Sequence, residues 1–124
     1  MLWFDKGPER GPSSLNGYGG DVTIDGRVYE VWSKDRGGKG YLAFVDKSPA
    51  TATSGTINWS LFVNWAKTYG HRVSEVFAKP ALHNSPPLTD DVCMSNILFG
   101  NEIWWGSGDF QLNRWDISAF EKTP

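Results

Sequence analysis

The sequence predicts an all-β domain, a sandwich of antiparallel strands with one helix packed on it, and three observations carry that prediction. Short alternating segments recur along the chain, separated by turn signals at close spacing. Only one stretch, Ile57 to Tyr69, has a clear helical period. The aromatic and glycine content is high, with 7 Trp, 7 Phe, 4 Tyr and 14 Gly in 124 residues. Leu, Ile and Val suffice to fill a core of this size. Many indoles among Gly, Ser, Thr and Asn therefore suggest aromatic platforms on a β scaffold. For any single Trp, core packing is the ordinary reading.

The length fits one domain, residues 1–124. Its 12 basic and 14 acidic residues leave a net charge of −2. That balance argues against nucleic acid, which selects a basic stripe. No apolar run approaches the ~18 residues of a bilayer span, so no membrane role is expected. The opening residues, MLWFDKGPERGP, lack a charged leader followed by an apolar run, so they show no signal peptide. The lone Cys93 excludes an internal disulfide and leaves a cysteine-based zinc site without support.

Taken in order, Met1 to Phe4 reads as the end of a strand, followed by a Gly/Pro/Ser-rich loop to residue 20. Asp21 to Trp32 reads as two strands around an Asp25-Gly26 turn. Such a turn puts Val22, Ile24, Tyr29 and Val31 on one face, and Thr23, Val28, Glu30 and Trp32 on the other. Both sets contain apolar residues, so the hairpin is expected to lie between layers. Ser33 to Gly40 reads as a turn and Tyr41 to Asp46 as a strand. The Ser33–Gly40 turn lacks the spacing and following helix of a phosphate loop. The helix then carries Ile57, Leu61, Phe62, Trp65 and Tyr69 as one apolar stripe, with Thr56 as its cap and Gly70 at its end. Asn58-Trp59-Ser60 is a formal glycosylation sequon, disfavoured by its place on a helix. Val73 to Ala78 alternates like a strand. Lys79 to Asp91 is a Pro-rich loop, expected to decorate the surface rather than border a cleft. Val92 to Trp105 and Phe110 to Phe120 are further strand candidates.

Few residues carry obvious chemistry. His71 and His83 adjoin no serine nucleophile motif. His83, Asp90, Asp91 and Cys93 match no metal-ligand spacing, so no metal or other cofactor is expected. Glu102 stands among indoles in Phe99-Gly-Asn-Glu102-Ile-Trp-Trp-Gly-Ser-Gly108. A carboxyl walled by indoles and short of water has its pKa raised. It then holds a proton near neutrality and can give it to a leaving oxygen. The competing reading is a surface Glu near a hairpin turn. Glu30, Asp109 and Asp116 have fewer aromatic neighbours and fit the role less well.

The stretch Phe99–Phe120 resembles the C-terminal signature of glycoside hydrolase family 12, F-G-x-E-[PI]-[FW]-x-G-x-G followed by a closing strand. Upstream, Met1-Leu2-Trp3 followed by Gly11-Pro12 resembles the E-x-M-I-W…G-P segment of that family. The hairpin Val22–Trp32, the strand Tyr41–Val45 and the single helix after Ser54-Gly55 follow in the family's order. The resemblance implies a concanavalin-like β-jelly roll of two antiparallel sheets with a cleft. It implies retaining hydrolysis of β-1,4-glucans such as cellulose, xyloglucan or mixed-linkage β-glucan, and a secreted protein.

Retention uses two carboxylates about 5–5.5 Å apart. Glu102 maps onto the general acid/base. The nucleophile maps two residues before Met1, so the chain is expected to match only the C-terminal part of a domain of roughly 220 residues. It would then lack N-terminal strands, be inactive alone, and depend on the missing polypeptide for stability. Met1, Trp3, Pro12 and Trp104 are the expected substrate-binding residues. Trp104 shares a strand face with Glu102 by its spacing. Two other classes remain open: a non-catalytic carbohydrate-binding jelly roll, and a structural or interaction sandwich.

Overall fold

The computed structural model describes residues 2–3, 17–47 and 56–91. All of these belong to the first of two units into which the chain divides, Met1–Val92 and Cys93–Pro124. The described architecture is mostly β, a three-stranded antiparallel meander with a helix on one face. The strands are β2 (Tyr18–Ile24), β3 (Arg27–Arg36) and β4 (Lys39–Asp46), and a short β1 (Leu2–Trp3) adds to β4 in parallel. The sheet order is β1-β4-β3-β2.

The Asp25-Gly26 turn forms as expected. Both residues have positive φ, 52° and 74°, which is the geometry of a tight two-residue hairpin and suits an Asp-Gly pair. Register follows from it: Ile24 pairs with Arg27, Val22 with Tyr29 and Asp21 with Glu30. The face division predicted from sequence holds. Ile24, Tyr29 and Val31 are buried beneath the helix with Phe44 of β4. The opposite face is covered in part as well, since Ala43 and Val45 are both 0% exposed.

The helix α1 (Trp59–Tyr69) supplies the other half of the core. Phe62 is its buried residue, and Ile57, Trp59, Leu61 and Trp65 pack around the cluster. The rings meet edge to face, Phe62 at 5.1 Å from Tyr29 and 5.2 Å from Phe44, and Trp65 at 5.4 Å from Phe44. Such pairs add about 0.5–1.5 kcal/mol each beyond the burial of their area.

Three local expectations are corrected. Ser33 to Gly40 is not one long turn. β3 continues to Arg36 and β4 begins at Lys39, joined by Gly37-Gly38 with φ of 64° and 79°. Asp35 braces that turn by accepting from the Gly38 N–H at 2.8 Å. The helix cap is Asn58 rather than Thr56, with Oδ1 accepting from the Ser60 N–H at 3.2 Å. An Asn cap of this kind contributes about 1 kcal/mol. Val73 to Ala78 is not a strand. A 3-10 turn (Gly70–Arg72) leads into the single-turn helix α2 (Val73–Val76). Val73 and Phe77 are four residues apart, which places both on one helical face; Val73 is fully buried and Phe77 packs on the core.

The loop after α2 is tied to the body. Leu82 is buried, and Asn84 bonds Ser74 through both side-chain atoms, at 2.9 Å each. The Ser85 N–H donates to the Gly70 carbonyl at 2.9 Å, and the Ser33 hydroxyl donates to the His83 carbonyl. Phe77 lies against the backbone of β2. A Cβ at Gly20 would come within 2.6 Å of its ring, so only glycine lets the two approach.

Candidate functional site

Glu102, Trp104, Met1 and Pro12 lie outside the described residues, as do the strand candidates Val92–Trp105 and Phe110–Phe120. Trp3 is placed through its backbone, which pairs with Val45 of β4. Val45 in turn pairs with Glu30, and Glu30 with Asp21. Position 3 is therefore level with Val45, Glu30 and Asp21 in one row across all four strands.

That row crosses the sheet face opposite α1, and the described polar chemistry gathers there. Glu30 and Trp32 are two residues apart on β3 and so share this face. The Trp32 indole N–H donates to Glu30 Oε2 at 3.1 Å. Tyr18 pairs with Trp32 across the strands, and their rings sit 5.4 Å apart at 48°. The Tyr18 hydroxyl donates to Asp21 Oδ1 at 2.9 Å, and Lys47 Nζ donates to Asp21 Oδ2 at 2.7 Å. Lys79 Nζ donates to the Tyr18 carbonyl at 3.1 Å and stands 4.6 Å from the centre of its ring.

The titrations follow from these contacts. Burial pushes the Tyr18 hydroxyl up, and its bond to Asp21 and the charge of that carboxylate push it the same way. The bond to Asp21 raises Lys47. Two carboxylates and two lysine side chains thus surround the aromatic pair.

The other candidates stay apart. Among the described residues no group of three His, Cys, Asp or Glu converges on a metal position. His83 Nε2 lies 3.9 Å from Asp35, and Asp90 pairs with Lys67. Asp46, almost wholly buried, pairs with Arg27 at the far end of the core. A shallow concavity between α1 and the following loop is lined by Val63, Asn64, Lys67, Leu88, Thr89 and Asp90, with no acid–base pair on it beyond that Lys67–Asp90 bridge. No described helix is long and apolar enough to cross a membrane.

Sequence reasoning placed Glu30 and Trp32 on one face but missed Tyr18, Asp21, Lys47 and Lys79 as their neighbours. Tyr18 falls in the Gly-rich segment read as loop. The register shift between Tyr18 and Gly20 carries β2 past the expected strand start and brings Tyr18 opposite Trp32. Lys79 arrives from a region whose helical turn was read as a strand.

No family model, no curated protein and no solved structure matches the chain.

Proposed function

We propose that these residues belong to a retaining glycoside hydrolase of the family 12 type that acts on β-1,4-glucan polysaccharides and is built on a jelly-roll sandwich. The observation that carries this reading is the segment FGNEIWWGSG, Phe99 to Gly108, which sets one carboxyl among indoles and glycines. The order of hairpin, strand and the helix Trp59–Tyr69 supports it. So does a sheet face on which the carboxylates Asp21 and Glu30 lie in the row of position 3 and the rings of Tyr18 and Trp32 in the neighbouring row.

In this mechanism Glu102 protonates the glycosidic oxygen as the bond to the anomeric carbon breaks. The nucleophile is the Glu of an E-x-M-I-W segment whose Met is Met1. It forms the covalent glycosyl ester. Glu102, now ionised, takes a proton from water, which attacks the anomeric carbon and releases the nucleophile. Met1, Trp3, Pro12 and Trp104 contact the sugar. No cofactor takes part, and the secreted setting goes with a polymeric substrate.

A non-catalytic carbohydrate-binding sandwich is the second reading. The observation in its favour is that Tyr18 and Trp32 present rings, and Glu30 a carboxylate beside them, without needing Glu102.

The test is Glu102→Gln in the product of the complete coding frame that contains these residues. Reducing-end release from soluble mixed-linkage β-glucan should fall at least about a thousandfold while glucan affinity is kept. Turnover that survives E102Q contradicts the assignment. Affinity without turnover in the unmutated protein favours the binding module.

A further inference from the structure

We propose that Tyr18, Glu30 and Trp32 form a sugar-binding subsite, on the sheet face away from α1, for an uncharged β-linked glucan chain. The proposal rests on the glucan reading above and adds residues that the resemblance does not assign.

Three observations carry it. The first is shape and surface. Tyr18 is 36% exposed, and Trp32 and Glu30 are half-buried, so the rings are anchored yet reachable. A β-linked glucose unit has all its ring hydroxyls equatorial, which leaves C–H faces that stack on aromatic rings and a polar rim that meets acceptors.

The second is preorganisation. Tyr18 is held through its hydroxyl by Asp21, through its carbonyl by Lys79 and through its ring by Trp32. The indole N–H anchors the Glu30 carboxylate beside the ring at 3.1 Å. A ligand arriving there has few side chains left to order, which lowers the entropic cost of binding.

The third is charge. Asp21 and Glu30 repel an anionic ligand, and Lys47 and Lys79 repel a cationic one, so the balance selects a neutral polyol.

The experiment is affinity electrophoresis of the full chain through gels containing soluble mixed-linkage β-glucan, with circular dichroism and a melting curve on each variant. Trp32→Ala should weaken glucan retardation about tenfold, and Glu30→Gln about threefold. Glu30→Gln keeps the shape of the side chain, so it reports even where Trp32→Ala unfolds. If both variants fold and bind glucan as the unmutated chain does, the subsite is overturned and the pair is cross-strand packing only. Glu102→Gln then still tests the hydrolase reading independently. If the unmutated, folded chain is not retarded at all, the subsite is overturned, and the hydrolase reading stands or falls on turnover by the product of the complete coding frame.

Discussion

Alternate residues of the same strands build two very different surfaces. On β3, Tyr29 and Val31 turn under the helix and are at most 2% exposed. Between and beyond them, Glu30 and Trp32 turn the other way, into a setting of carboxylates, ammonium groups and a second ring. The helix-side face is closed by interlocking aromatic edges, with little left for a ligand to meet. The opposite face holds its rings in place with polar contacts and keeps part of them in reach of solvent. The difference teaches that aromatic content alone does not mark a binding platform. What marks it is the partner of each ring: another apolar ring on the first face, and a hydrogen-bonded charge on the second.

The largest effect should come from breaking the helix-side face. Phe62→Ala removes the ring that meets Tyr29, Phe44 and Trp59. A loss of about 3–5 kcal/mol in unfolding free energy is expected, measured by urea titration. A loss below about 1 kcal/mol would mean that this face is not the core.

Gly20→Ala sharpens the comparison from the seam. Its Cβ would come within 2.6 Å of the Phe77 ring, and β2 cannot move without disturbing the pairs that aim Tyr18. A cost of about 1–3 kcal/mol is expected. Weaker glucan binding should accompany it, because the strand carries one ring of the proposed subsite.

The smallest effect separates the faces by pH. On the helix side, burial and then the nearby Asp46 carboxylate raise Tyr29 above the ordinary value of 10.0. Tyr18 and Lys47 are raised on the other side. Each group holds its proton more tightly folded than unfolded. Its stabilisation is complete below its unfolded pKa and is lost as pH rises through the folded one. Melting temperature should therefore decline above about pH 10. Tyr29→Phe should lessen that decline, and an alkaline limb unchanged by the substitution would place the effect on Tyr18 and Lys47 instead.

Much of this was legible in the residues, and the failures have physical causes. Asp25-Gly26 between alternating segments announced its hairpin because few other pairs accept two positive φ values in succession. The stripe from Ile57 to Tyr69 announced its helix because five apolar residues recur at helical spacing. Val73 to Ala78 misled because a six-residue window in which Val73 and Phe77 face one way fits both a strand and a helical turn. Only the burial of Val73 against the rest of the unit decides between them. Ser33 to Gly40 misled because its charged residues look like a loop. They belong instead to strand ends that need no burial, and the Gly37-Gly38 turn joins them. The site was legible in part. Glu30 and Trp32 share a face by alternation alone, whereas Lys47 and Lys79 reach it through register and loop packing that no local pattern encodes.

The proposed retaining hydrolysis of a β-glucan with Glu102 as acid/base fixes the stereochemistry of the first product. Cellohexaose would be incubated with the product of the complete coding frame and followed by proton NMR before the new reducing ends mutarotate. The β-anomer should appear first and relax toward equilibrium, and Glu102→Gln should abolish the signal. Early appearance of the α-anomer, or β-anomer production that survives the substitution, would contradict it.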